Sequence, residues 1–246
     1  MHRIDHVCIG VRNIYEGSER LRDETGFDWY DGGWNPGMGV GQHIVPLGSR
    51  TYIEVNSVID REMALEHFHG RWYEAVLSDA RREDRFMGWV IATESMDELQ
   101  AIADRIGLEV ASEGKREGEK ELAWKRRRPN GKSHRNENVP DDRHHAWPRG
   151  LPMFMHWPGE AEGDHPDLIP EARAVDHRVR PAGISWVEVG AEAATQEWLG
   201  PAIEHMDVRF VDKPAGLYAM GIRTETGEVV IGRKPVPLAL GGHYRP

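Results

Sequence analysis

Cysteine is nearly absent from this chain. Cys8 is the only one in 246 residues, so no internal disulfide can form and nothing points to an oxidising compartment. Long apolar runs are missing too. No uninterrupted stretch approaches the ~20 residues of a membrane helix, and the opening Met1-His2-Arg3-Ile4-Asp5-His6 lacks the apolar core of a signal peptide. The expectation is a cytoplasmic protein without a membrane partner. Basic residues are outnumbered, 31 Lys and Arg against 41 Asp and Glu, for a formal net charge of −10. That balance argues against general nucleic-acid binding, which neutralises phosphates with a basic surface. Hydrophobic residues make up only 39%, yet 9 Trp, 6 Tyr and 5 Phe are too many for a disordered chain. The chain should fold, and its length suits one large domain or a few fused small modules. What is in excess is histidine, 13 in all, which makes a metal or proton-transfer site worth seeking.

Arg3 to Val11 is rich in β-branched residues and precedes helical periodicity from Ile14 to Glu24, with Gly26 as a C-terminal cap. A short strand over Phe27 to Asp31, a Gly- and Pro-rich loop over Gly32 to Gly39, and strands at His43 to Leu47 and Thr51 to Val58 follow. They complete a strand-helix-strand-strand-strand unit over residues 1–59. Residues 60–84 read as a connecting helix capped by Asp60, with Met63, Phe68, Trp72 and Val76 at helical spacing. The order restarts over residues 85–158: a strand from Phe86 to Thr93, a helix from Met96 to Ile106 capped by Ser95, a hairpin around Pro129-Asn130-Gly131, and a closing strand within Leu151 to Trp157. Residues 159–181 form a linker and 236–246 a tail. Between them, residues 182–235 hold a third βαβββ-like copy, in which Ile184, Trp186, Val187, Val189 and Gly190 repeat Ile4, His6, Val7, Ile9 and Gly10 at a constant offset.

Several stretches carry a resemblance in their order and spacing. They are Ile4-Asp5-His6-Val7, Asn35-Pro36-Gly37-Met38-Gly39, Leu47-Gly48 leading to Tyr52-Ile53-Glu54-Val55, and Phe68-His69-Gly70-Arg71-Trp72. Gly88-Trp89-Val90, Arg128-Pro129-Asn130-Gly131 and Leu151-Pro152-Met153-Phe154-Met155-His156-Trp157 continue the series. Over roughly its first two thirds the chain resembles the vicinal oxygen chelate superfamily, in its glyoxalase-like branch. The resemblance implies an α+β fold of paired βαβββ modules forming curved mixed sheets around a cavity, the glyoxalase/bleomycin resistance/dioxygenase fold, with a third partial or complete module at the C-terminus. It also implies a divalent metal at the cavity floor. The superfamily spans isomerases, lyases, epimerases, ring-cleaving dioxygenases and antibiotic-binding proteins, so the fold leaves the chemistry open.

Alternation along the first strand puts His6 on one face with Ile4, Cys8 and Gly10, and Asp5, Val7, Ile9 and Val11 on the other. In the strand from Thr51 to Val58, Tyr52, Glu54 and Asn56 share a face. A glutamate there is costly to bury unless it is paired or ligates a metal. In the family topology these strands are neighbours, so His6 and Glu54 can converge on one ion, and the repeat sets His156 opposite Glu54. His6, Glu54 and His156 are then the expected metal ligands, with Glu54 also the catalytic proton carrier. Two histidines and a carboxylate leave coordination positions open and suit Fe, Mn, Ni, Co or Zn. The sequence departs from the family at the fourth ligand, since Met87-Gly88-Trp89-Val90-Ile91 offers none; His43 and His165 are the spares.

His43, Tyr52, Trp34 and Trp89 are expected to wall a substrate pocket, and Arg126 to hold a substrate carboxylate bidentately. Plainer readings stand beside these: a hydrogen-bonded core histidine for His6, an ion pair with Arg50 or Arg126 for Glu54, and a solvated strand end for His156. The function expected is a metal-dependent lyase or isomerase acting on a small molecule with vicinal oxygens. The alternatives are an extradiol-type iron dioxygenase on the same triad and a non-catalytic, resistance-type binding protein. The expected partner is a small-molecule substrate or ligand, and pairing of modules between chains would make a homodimer.

Overall fold

The computed structural model describes residues 2–35, 37–79, 83–106, 110–112, 134–136, 147–157 and 165–236. Its first module runs β1 (Arg3–Gly10), α1 (Ile14–Thr25), β2 (Tyr30–Asn35), β3 (Val40–Gly48) and β4 (Thr51–Val58). Helix α1 starts where the Asn13 side chain accepts the Tyr15 and Glu16 amides, and it stops at Gly26, whose φ of 77° only glycine adopts freely. Strand β4 returns parallel to β1, and β3 and β2 follow antiparallel, giving the order β1-β4-β3-β2. The second strand lies later than the sequence suggested. Glycines expected to form a loop enter β2 at a bulge between Asp31 and Gly33, where Gly33 takes φ 88°.

Residues 60–84 were expected to hold one helix; the structure has two. Helix α2 (Arg61–Glu66), capped by Asp60, ends at His67 in extended backbone, and α3 (Phe68–Asp79) starts afresh. The second module then has β5 (Arg85–Thr93), α4 (Met96–Ile106), β6 (Val110–Ser112), β7 (His134–Asn136) and β8 (Met153–His156). Ser95 caps α4 by accepting the Glu98 amide while the Glu98 carboxylate accepts the Glu94 amide. Strand β8 is parallel to β5, as β4 is to β1, and β7 pairs with β6 and lies against β8. The hairpin tip at 129–131 lies outside the described residues. An antiparallel β1–β5 ladder joins the two modules into one sheet.

After a short helix α5 (Pro170–Arg173), the third copy repeats the element order as β9 (Pro181–Gly190), α6 (Ala193–Ile203), β10 (Asp207–Val211), β11 (Gly216–Thr224) and β12 (Gly227–Gly232). Its strand order differs. Strand β10 returns from α6 to lie parallel to β9, and β11 takes the other side, so the sheet reads β10-β9-β11-β12. In the first module the strand after the helix lies at the far edge instead. A last strand, β13 (Lys234–Pro235), leaves this sheet and pairs with the start of β5.

Two cores follow from strand alternation. On the outer face of the large sheet, Val7, Ile9, Phe86, Trp89 and Ile91 pack with Leu21, Leu99 and Leu199 of the three module helices and with Val187, Val189 and Met220 of the third sheet. On the inner face, Cys8, Met87 and Val90 pack with Trp72, Tyr73, Val76 and Leu77 of α3 and with Trp147. Each buried aromatic ring there contributes about 2–3 kcal/mol. A smaller inner cluster of Ile44, Tyr52, Ala92 and Trp157 lies beyond His6. None of the described helices is long and apolar enough to cross a membrane.

Candidate metal centre

The site begins with an irregularity. In the β1–β5 ladder Ile4 pairs with Ile91 and His6 with Val90, so Asp5 is an extra residue on β1. A bulge of this kind re-aims side chains that strict alternation would separate. Asp5 thereby reaches its own neighbour: its Oδ2 lies 2.7 Å from His6 Nδ1. The other carboxylate oxygen lies 3.1 Å from His165 Nε2, and Trp157 Nε1 donates at 3.2 Å to both. Arg3 Nη2 stands 3.7 Å away. Asp5 and His165 are fully buried. Burial pushes the Asp5 carboxyl up, but the pull of His165 and His6 outweighs it and holds the group well below the usual carboxylate range.

On the inner face of β1 and β4, His6 pairs with Tyr52 and Cys8 with Glu54. The His6 ring stacks on Tyr52 at 4.4 Å and an interplanar angle of 21°. With Nδ1 engaged by Asp5, His6 turns Nε2 towards Glu54 Oε2, 3.7 Å away. Cys8 Sγ donates to the same oxygen at 3.2 Å. The ligand atoms of His6, Cys8 and Glu54 all lie within 4.8 Å of one another. Two ligands on one tetrahedral ion sit roughly 3.3–3.6 Å apart when their bonds are 2.0–2.3 Å. The 3.2 and 3.7 Å separations lie just outside that range on either side, so small side-chain movements would let this donor set close on a divalent cation. An imidazole, a carboxylate and a thiol suit zinc, cobalt, nickel or iron.

The structure brings together His6, Glu54 and Tyr52 of the residues singled out from sequence, and turns four others away. His156 is the chief correction. In the β5–β8 register Val90 faces Met153 and Thr93 faces His156. Phe154 packs in the outer core, so His156, two residues on, shares the outer side, with Nδ1 3.1 Å from the Thr93 carbonyl oxygen. The repeat alignment was one residue out of step, and such a slip moves every side chain to the opposite face. Met153 and Met155 pack instead with the inner clusters.

His43 also faces outward. It bonds Ser18 Oγ at 2.9 Å and stacks on Trp29 at 3.8 Å, and burial lowers its imidazole to about 4. Trp34 pairs with Gly41 on that same outer side of β3. Trp89 is fully buried in the outer core, its Nε1 donating to the Gly150 carbonyl at 3.0 Å. Arg126 lies outside the described residues. The spare histidine His165 reaches the site behind His6, through Asp5, and alternation hid Asp5 by assigning it to the other face.

A family model for a glyoxalase-like domain matches residues 4–202. Among solved structures, a hypothetical protein from Staphylococcus aureus is similar over 94% of this chain and 86% of its own, at 13% identity and a TM-score of 0.54. Methylmalonyl-CoA epimerase from Mycobacterium tuberculosis is 19% identical over 47% of this chain and 71% of its own, with a TM-score of 0.33. A Streptomyces coelicolor methylmalonyl-CoA epimerase in complex with 2-nitronate-propionyl-CoA is 21% identical over 47% of this chain and 79% of its own, with a TM-score of 0.35. No curated protein matches the sequence. The long similarity to the Staphylococcus aureus protein shows a common fold, and with the family match over residues 4–202 the chain belongs to the glyoxalase-like domain family of the vicinal oxygen chelate superfamily.

Proposed function

We propose that this protein is a divalent-metal-dependent isomerase or lyase acting on a small molecule with vicinal oxygens, its ion held by His6, Cys8 and Glu54. The observation that carries the reading is the buried line Asp5–His6–Glu54, in which one imidazole nitrogen is anchored and the other faces a carboxylate beside a thiol. An ion bound there supplies Lewis-acid polarisation of substrate oxygens. Glu54, the most exposed of the three, takes a proton from the substrate carbon and returns it. Tyr52 stacks on the His6 ring, and Val90, Met153 and Met155 belong to the packed inner apolar clusters, which favours exclusion of water from that side.

The second module offers Val90, Met153 and Met155 where a symmetric site would have ligands, and this favours as second reading a binding protein without catalysis. Metal analysis of the purified protein and calorimetric titration with Zn(II), Co(II) and Ni(II) decide first. The expected result is one ion per chain, lost in both His6→Ala and Glu54→Ala while circular dichroism stays native. A wild-type protein that neither carries nor takes up an ion overturns the enzymatic reading. Bound iron with oxygen uptake on catechols would redirect it to ring cleavage.

A further inference from the structure

The carboxylate behind His6 is met by a second histidine from outside both paired modules. His165 belongs to the segment between β8 and β9, and that segment is fixed at several points. Asp167 accepts the Gly48 and Arg50 amides of the β3–β4 turn at 2.7 and 3.0 Å. Tyr30 Oη donates to the Pro166 carbonyl at 2.8 Å. The His165 ring is wedged between the edges of Tyr52 and Trp157, with centroids 5.5 and 5.4 Å apart. Its Nδ1 accepts the Asp167 amide at 3.1 Å. A ring nitrogen that accepts carries no proton, so the His165 proton sits on Nε2 and is donated to Asp5 Oδ1. Oδ2, which shares the Trp157 donor with Oδ1, faces His6 Nδ1.

We infer that Asp5 and His165 are a positioning pair that holds the His6 ring with its Nδ1–H donated to Asp5 and its Nε2 turned to Glu54. Donation of the far ring N–H to a carboxylate is how ligating histidines are oriented, and loss of such a partner weakens metal affinity about 10–100-fold. The tautomer part stands by itself; the affinity part rests on the metal reading above.

Asp5→Asn is the discriminating variant. His165 and Trp157 still present donors, so the amide oxygen faces them and the amide NH2 faces His6 Nδ1, which must then accept. Long-range proton–nitrogen NMR on the full-length, metal-stripped protein labelled with nitrogen-15 histidine should show His6 as Nδ1–H in the wild type. Asp5→Asn should show it as Nε2–H. Zn(II) affinity by calorimetry should fall about 10–100-fold in Asp5→Asn. It should fall in His165→Leu as well and recover in His165→Gln, whose amide can still donate. Native near-ultraviolet circular dichroism guards against misfolding, and the His165 pair carries the test should Asp5→Asn not fold. An unchanged His6 tautomer, or Zn(II) affinity within about twofold of wild type in folded Asp5→Asn and His165→Leu, overturns the inference. A shifted tautomer in a protein whose wild type binds no Zn(II) overturns the metal reading alone.

Discussion

Strands β1 and β4 of the first module and β5 and β8 of the second hold equivalent places in one sheet, joined edge to edge through β1 and β5, yet their inward residues differ in kind. The first pair presents His6, Cys8, Tyr52 and Glu54. The second presents Gly88, Val90, Met153 and Met155. At Gly88 the difference is steric as well as chemical, because a Cβ there would lie 1.9 Å from Trp147 Cγ. The indole occupies the space a ligand side chain would need, and Trp72 of α3 lies beside it. The repeated element order therefore does not carry a two-sided site. One half presents polar groups, whose burial costs energy; the other half is apolar core, which stabilises.

That division can be broken by substitution. The largest expected effect is on stability, in Trp147→Ala: about 3–5 kcal/mol lost in urea unfolding, since a buried indole and its hydrogen bond to the Trp89 carbonyl both go. Glu54→Gln should cost about 1 kcal/mol or less in the same assay, a hydrogen bond's worth. Equal losses would mean that the two inner faces share the structural load.

A second test contrasts the faces of the first module itself. His43, behind the sheet, is held to about 4 against 6.5 in its ordinary state by burial. The folded protein thus favours the neutral ring. Its contribution is complete above pH 6.5 and is lost as pH falls through 4, about 3 kcal/mol in all. His43→Phe should flatten the fall in unfolding free energy between pH 7 and 4.5, with a residue left by His177, which burial also lowers. An unchanged slope would place the titration elsewhere.

The smallest expected effect would restore symmetry. Met153 pairs with Val90, which pairs with His6. Met153→His should tighten Zn(II) binding about tenfold by adding a ligand from the second module, read by calorimetry. No gain would show that the apolar half is too tightly packed to turn towards an ion.

Much of this was legible in the sequence. Period-two patterning gave β4 its faces and β1 its faces from His6 onward, capping residues Asp60 and Ser95 and the Gly26 stop placed helix ends, and the family topology set β1 beside β4, with His6 and Glu54 on one face. The rest depended on single-residue displacements. The extra residue at Asp5 and the one-residue offset of β8 leave no mark on composition or hydropathy, yet each decides which way a side chain points. The contribution of His165 required a contact across 160 positions of chain, which periodicity does not encode.

The short strand β13 has a further consequence. The outer edge of β5 is covered along its second half by β8, at Val90 to Thr93, and along its first half by β13, at Arg85 and Phe86, where the Val236 amide adds a bond to the Phe86 carbonyl. Trimming the chain before Lys234 would strip that half and leave unpaired backbone groups beside an apolar strand, an invitation to edge-to-edge association. The third module thus delivers a protective cap to the second, and shortened versions of this chain should be judged by their tendency to aggregate before their activity is compared.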